Sequence, residues 1–143
     1  MTSNEIIGAT RELIGAGGSF VLATVDREGC PQLRWMGAAL LEEPLTLYMA
    51  AGANSRKMDQ IRANKRSQLM FQNSEYSRVA TLCGDCDVVE EAEIKRRVWD
   101  GMPGVAQFFS GADDTNFGVI RFVTRRVELL DMNQGHTPMV ADL

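Results

Sequence analysis

Ser55-Arg56-Lys57 is the group of residues in this chain best suited to chemistry. It follows Leu45-Thr46-Leu47-Tyr48-Met49, whose apolar residues alternate with Thr46 and Tyr48 as in a half-buried strand. Between the two, Ala50-Ala51-Gly52-Ala53 carries no bulky side chain, so a ligand could approach the backbone closely. Residues 55–64 read as a helix, with Asn54 or Ser55 as its cap. A helix start offers unpaired amide N–H groups and the positive end of the dipole, and so favours anions. Cations in that first turn make sense if an external anion completes the site, as phosphate does at many helix starts. The segment therefore predicts an anion cradle. A Ser cap beside solvated cations has the same sequence, and neither the Walker A loop nor GxGxxG is present.

Arg34 is the next candidate. It shares a strand face with Met36 and Ala38, and a charge on an apolar face needs a partner. Cys83 and Cys86 have CxxC spacing inside a strand-like run, where an offset of three sends the side chains to opposite faces. Structural thiols fit that better than a redox pair, and with no second pair or nearby His a zinc site is not expected. His136 has no Ser or Cys partner with a supporting acid, so a hydrolytic triad is not expected either. Asp113-Asp114 before Thr-Asn reads as a turn. Trp99, beside Ile94 and Val98, reads as helix packing.

The elements that must position these residues follow from periodicity and breakers. Helices are expected at 3–14, with Thr2 and Glu5 as a capping box, and at 90–99, where acids precede bases. Strands are expected at 19–25, 30–41, 45–49, 67–72, 78–89 (bent near Gly84) and 117–130, the last broken at Thr124-Arg125-Arg126. Residues 105–109 read as a short turn, and those after about 131 as an unpatterned tail. Six strands joined mostly by short turns favour antiparallel pairing. The fold class is mainly β (α+β): an antiparallel six-stranded split or closed barrel with peripheral helices.

Bulk properties narrow the function. A chain of 143 residues, 45% hydrophobic and 24% charged, reads as one globular domain, 1–143. Net charge −4 argues against a nucleic-acid binder. Cations nevertheless concentrate locally, where Arg56, Lys57, Arg62, Lys65 and Arg66 face only Asp59. No apolar run approaches the ~18 residues of a membrane span, and the N-terminus does not read as a signal peptide. Three cysteines fit a reducing, cytoplasmic setting.

Three segments in register, Val21-Leu22-Ala23-Thr24-Val25-Asp26-Arg27-Glu28-Gly29-Cys30-Pro31, Arg34-Trp35-Met36, and Ser55-Arg56-Lys57 with the helix behind it, resemble the pyridoxamine 5′-phosphate oxidase-like family of FMN-binding split barrels. Trp99, Phe108-Phe109-Ser110-Gly111 and Asp113-Asp114-Thr115-Asn116-Phe117 are most similar to its general stress protein 26 branch. The resemblance implies a homodimer with two flavin sites at the interface, each built from both chains; no metal is expected from the residues themselves. It assigns the flavin phosphate to Ser55, Arg56 and Lys57, and the flavin ring to Arg34, Trp35, Met36 and Gly37. Tyr48, Met49 and Ala50 would line the same cleft, with Trp99 and Phe109 as candidates for the partner-chain wall. FMN is the expected cofactor, with FAD an alternative.

The sequence also departs from the family. Ala39 stands where the vitamin-B6 oxidases carry a Lys for substrate phosphate, and Arg78 aligns loosely with a Gln of those enzymes. Their C-terminal Trp and Arg segment has no counterpart. Pyridoxamine phosphate oxidation itself is therefore not expected, and no residue takes a catalytic label. The expected function is a stress-related, flavin-dependent oxidoreductase; the alternative is a non-catalytic protein that sequesters flavin or docks a partner.

Overall fold

A computed structural model describes residues 1–143. Helix α1 (Ser3–Gly15) begins where expected, with the Glu5 amide donating to Thr2 Oγ1 at 3.2 Å. Its buried stripe of Ile6, Ala9, Leu13 and Ile14 covers β5, β7 and β8, whose ranges follow. Strands β1 (Phe20–Val25) and β2 (Pro31–Met36) form a hairpin around Gly29, which takes φ 83°. Next come β3 (Leu40–Glu42), β4 (Thr46–Gly52), α2 (Arg56–Ala63), β5 (Arg66–Gln72), β6 (Arg78–Val89), α3 (Ala92–Gly101), β7 (Phe117–Asp131) and β8 (Met139–Asp142). Every pairing is antiparallel, in the order β2-β1-β5-β6-β7-β4-β3 with β8 on β7.

The mainly-β, split-barrel class holds, but with eight strands instead of six. The strand expected at 30–41 divides. β2 pairs with β1, whereas β3 pairs with β4 at the other end of the strand order. Gly37-Ala38-Ala39, which lies in no strand, carries the chain across. The residues expected as a tail supply the eighth strand, whose Ala141 is buried opposite Val127. Four residues are too few for a visible period. The break expected in β7 is a bulge in an unbroken strand: Cys83 faces Arg126, Gly84 faces Thr124, and Arg125 is the extra residue. Gly84 is required there, since a Cβ would overlap the Val123 carbonyl oxygen.

Two cores result. The larger, inside the barrel, holds Phe20, Leu22, Leu47, Met49, Leu69 and Phe122. The smaller, beneath α3, holds Tyr48, Val98, Met102, Val105, Phe117 and Val119. β4 and β7 feed both cores through alternate residues, so this wall is apolar on each face.

Candidate functional site

Ser55 is the N-cap of α2, as expected, in extended backbone. Its side chain does not cap the helix: Ser55 Oγ is buried and has no hydrogen-bond partner. The helix's first internal bond runs from Met58 N–H to Ser55 O (3.1 Å), which leaves the amides of Arg56 and Lys57 unused. A buried hydroxyl without a partner is rare, since stranding one costs about 1–3 kcal/mol.

Three cations surround this end of the helix. Arg34 reaches from β2: its Nη1 donates to Thr24 Oγ1 (2.9 Å) and Leu22 O (3.2 Å), and its Nη2 to Gln60 Oε1 (3.1 Å). Thr24, whose hydroxyl donates to the same Gln60 oxygen at 2.6 Å, ties β1 to α2. Every acceptor of Arg34 is neutral. No carboxylate lies within 4.0 Å of Arg34, Arg56 or Lys57, although nine ion pairs form elsewhere. Asp59, the acid of α2's first turn, turns to Arg62 at 3.6 Å. Burial, then the charge of Arg56, pushes the Arg34 pKa down; burial, then Arg34, does the same to Lys57. The cations repel one another, and none of the three is in an ion pair with a carboxylate.

Beyond Arg56 lies a polar depression of about 290 Å³, edged by Asp26, Glu28 and Asp59 as well as by Arg27, Arg56 and Gln60. Asp26 is engaged by its own hairpin, accepting from the amides of Glu28 and Cys30 (2.9 Å each) and from Gln32 Nε2 (3.0 Å).

In the other direction, two residues along β2 from Arg34, a larger cavity of about 660 Å³ opens where the barrel splits. One wall is Met36, Gly37 and Ala50; the other is the end of α3 and the 3₁₀ turn Pro103–Gln107, with Phe108 and Phe109. β2 and β4, well separated in the strand order, meet here.

A family model for pyridoxamine 5′-phosphate oxidase matches residues 6–131. The chain belongs to the pyridoxamine 5′-phosphate oxidase family. No curated protein matches it in sequence. Solved structures share the fold at low identity. General stress protein 26 from Bacillus anthracis superposes with TM-score 0.78 at 20% identity over 100% of both chains. A Clostridium acetobutylicum protein related to general stress protein 26 gives TM-score 0.83 at 14% identity, over 100% of this chain and 97% of that one. An FMN-binding, pyridoxamine 5′-phosphate oxidase-related protein from Nostoc punctiforme gives 0.70 at 20%, over 96% and 86%.

Within this member of the family, the expected site residues sort into four places. Ser55, Arg56 and Lys57 lie together at the start of α2, and Arg34 is bonded to Gln60 of the same helix. Met36, Gly37, Ala50 and Phe109 line the cavity. Trp35 points to the opposite face of β2 from Arg34 and Met36, where it is 65% exposed. Tyr48, Met49 and Trp99 are packing residues. Met49 is enclosed in the barrel core, Tyr48 is buried with its hydroxyl accepting from Arg97 Nη2 at 3.3 Å, and Trp99 stands edge-on to Phe117. Their side chains do not reach the cavity lining. Thr24 and Gln60, which hold Arg34, went unnoticed in the sequence. The signal available was a Gln at i+3 from Lys57, on the same side of an otherwise apolar-faced helix.

Cys83 and Cys86 do lie on opposite faces and are unpaired. Burial pushes the Cys86 thiol up to about 12, which makes it inert. No helix is long and apolar enough to cross a membrane.

Proposed function

We propose that this chain binds FMN as a cytoplasmic homodimer and acts as a flavin-dependent oxidoreductase with a stress-related role. The observation that carries the reading is the buried, unpartnered Ser55 hydroxyl among three cations that form no ion pair within the chain. A phosphate dianion meets all of these needs at once. It accepts from Ser55 Oγ and the free amides of Arg56 and Lys57, and it neutralises Arg34, Arg56 and Lys57. Met36, Gly37 and Ala50 then form the wall for the ring; a Cβ on Gly37 would meet nothing within 4 Å, so its backbone is open to close approach. When bound, FMN supplies the redox chemistry, and the chain binds and orients it. The carboxylates beyond Arg56 disfavour a second phosphate, which argues for FMN over FAD.

The dimer rests on a separate observation. Leu33 and Trp35 are 71% and 65% exposed on an edge strand. Trp35 pairs with Val21, and Val21 with the exposed Met70, so the residues form one apolar stripe across three strands. A stripe of that kind suits an isologous contact with a second copy. The stress role follows the names of the Bacillus and Clostridium neighbours.

The test is an FMN titration of the apoprotein, wild type against Arg56→Ala/Lys57→Ala. Saturable yellow binding that the double change abolishes supports the cradle; equal affinity in the two proteins rejects it. Bleaching of the bound flavin by NAD(P)H, with reoxidation by an added acceptor, supports turnover. A yellow protein inert to both is the sequestering binder.

A further inference from the structure

The α3 side of the 660 Å³ cavity is chemically one-sided. The far wall is Met102, Pro103, Val105, Phe108 and Phe109, with Gln107 its one polar side chain. No charged residue lines the cavity anywhere, whereas Arg34, four residues before Ala38 in the chain, stands with two further cations at the start of α2. Phe108, at its edge, is 78% exposed, more than any other large apolar side chain in the protein. The volume lies within the 300–1,000 Å³ range of small-molecule sites.

From this lining we infer that the α3 side of the cavity is a substrate subsite for an uncharged, apolar ring compound of the quinone class. This rests on the flavin reading above and names the substrate class of that same site. A phosphorylated or carboxylated ligand would bring its charge into a lining with no counter-ion and one side-chain amide, which strongly opposes binding. A neutral ring loses little hydration there and gains aromatic and thioether contacts from Phe108, Phe109 and Met102. Gln107 and the open backbone of Gly104, where a Cβ would meet nothing within 4 Å, can serve a ring carbonyl.

The experiment is calorimetric titration of FMN-saturated protein with menadione, a neutral naphthoquinone, and separately with pyridoxal 5′-phosphate, a ring of similar size bearing a dianion. Saturable menadione binding at least tenfold tighter than that of pyridoxal 5′-phosphate is expected. Phe108→Ala, at an exposed position the fold does not need, should weaken menadione severalfold. Ala38→Lys, also exposed on the cavity edge, should narrow or reverse the preference between the two probes. FMN affinity, titrated first on apoprotein, should be unchanged in Phe108→Ala. Equal or tighter binding of pyridoxal 5′-phosphate by the wild type overturns the inference, as does absence of menadione binding in protein that has taken up FMN. Absence of FMN uptake itself overturns the flavin reading, so the two failures are distinct.

Discussion

Two groups of cations in this protein are handled in opposite ways. On the β6–β7 wall each long cation carries its own acid. Arg121 grips Asp87 through Nε (3.0 Å) and Nη2 (2.8 Å), Arg78 meets Asp131 at 2.8 Å, and Arg125 meets Asp85 at 3.5 Å. At the start of α2, Arg34, Arg56 and Lys57 form no ion pair within 4.0 Å, and the nearest acids stand off across a depression beside Arg56. Their pKa values record the contrast: Asp87 drives the Arg121 pKa up, whereas burial and mutual repulsion drive Arg34 and Lys57 down. The cations of the wall are balanced within the chain, whereas those at the start of α2 are not, as the proposed phosphate site requires. The difference is the physical ground for the proposed site.

The strongest way to break this comparison is Arg56→Ala/Lys57→Ala. At about 1.5–3 kcal/mol per charge-assisted bond, FMN affinity should fall on the order of a hundredfold or more. The apoprotein of the double variant should melt close to wild type, because no ion pair is broken and the repulsion with Arg34 is relieved. A clearly lower apo melting temperature would place these cations with the structural group.

Next in size, Trp35→Asp should turn the proposed dimer into a monomer in sedimentation velocity, since a carboxylate would be buried in an apolar contact without a partner. A dimer that survives this change has its interface elsewhere. Ser55→Ala should weaken FMN by roughly tenfold, the worth of one hydrogen bond to a charged group, and should leave apoprotein stability equal or higher. A stability loss would mean that Ser55 caps the helix after all.

The smallest effects concern pH. A phosphate with a second pKa of about 6 loses half its charge below that value, so FMN affinity should fall as pH drops through about 6. Binding should also raise the depressed Lys57 pKa, so affinity should fall again as pH rises through the free-protein value, below the ordinary 10.5. On the scaffold, the Asn133 amide and then Arg78 hold the Asp131 carboxyl below its ordinary range. A depressed acid contributes stability that is present above the unfolded-state pKa and lost as pH falls through the folded one. Asp131→Asn should therefore lower the melting temperature at pH 7, with the gap closing below about pH 4.

Local signals carried much of this fold. The Thr2 cap, the Gly29 hairpin, the alternation in β4 and the Gly84 irregularity each depend on residues within a few positions, so each is legible in order along the chain. Arg34 shows where legibility stops. Its type and face marked it as functional, but not which end of the site it serves; that depends on Thr24 and Gln60, ten and 26 positions away. The places of Trp35, Tyr48 and Met49 depend on distance in the same way, because only closure of the barrel decides which face of a strand meets the cavity.

Taken alone, the sequence determined the secondary structure around Ser55-Arg56-Lys57 and the excess of positive charge there, because helix starts and charge density are local properties. Tertiary structure decided that the charge goes unpaired, that Arg34 joins it, and that β2 and β4 meet across an apolar cavity. Those are contacts between residues far apart in the chain. They come about only when apolar strands close around a shared core and bring their edges together.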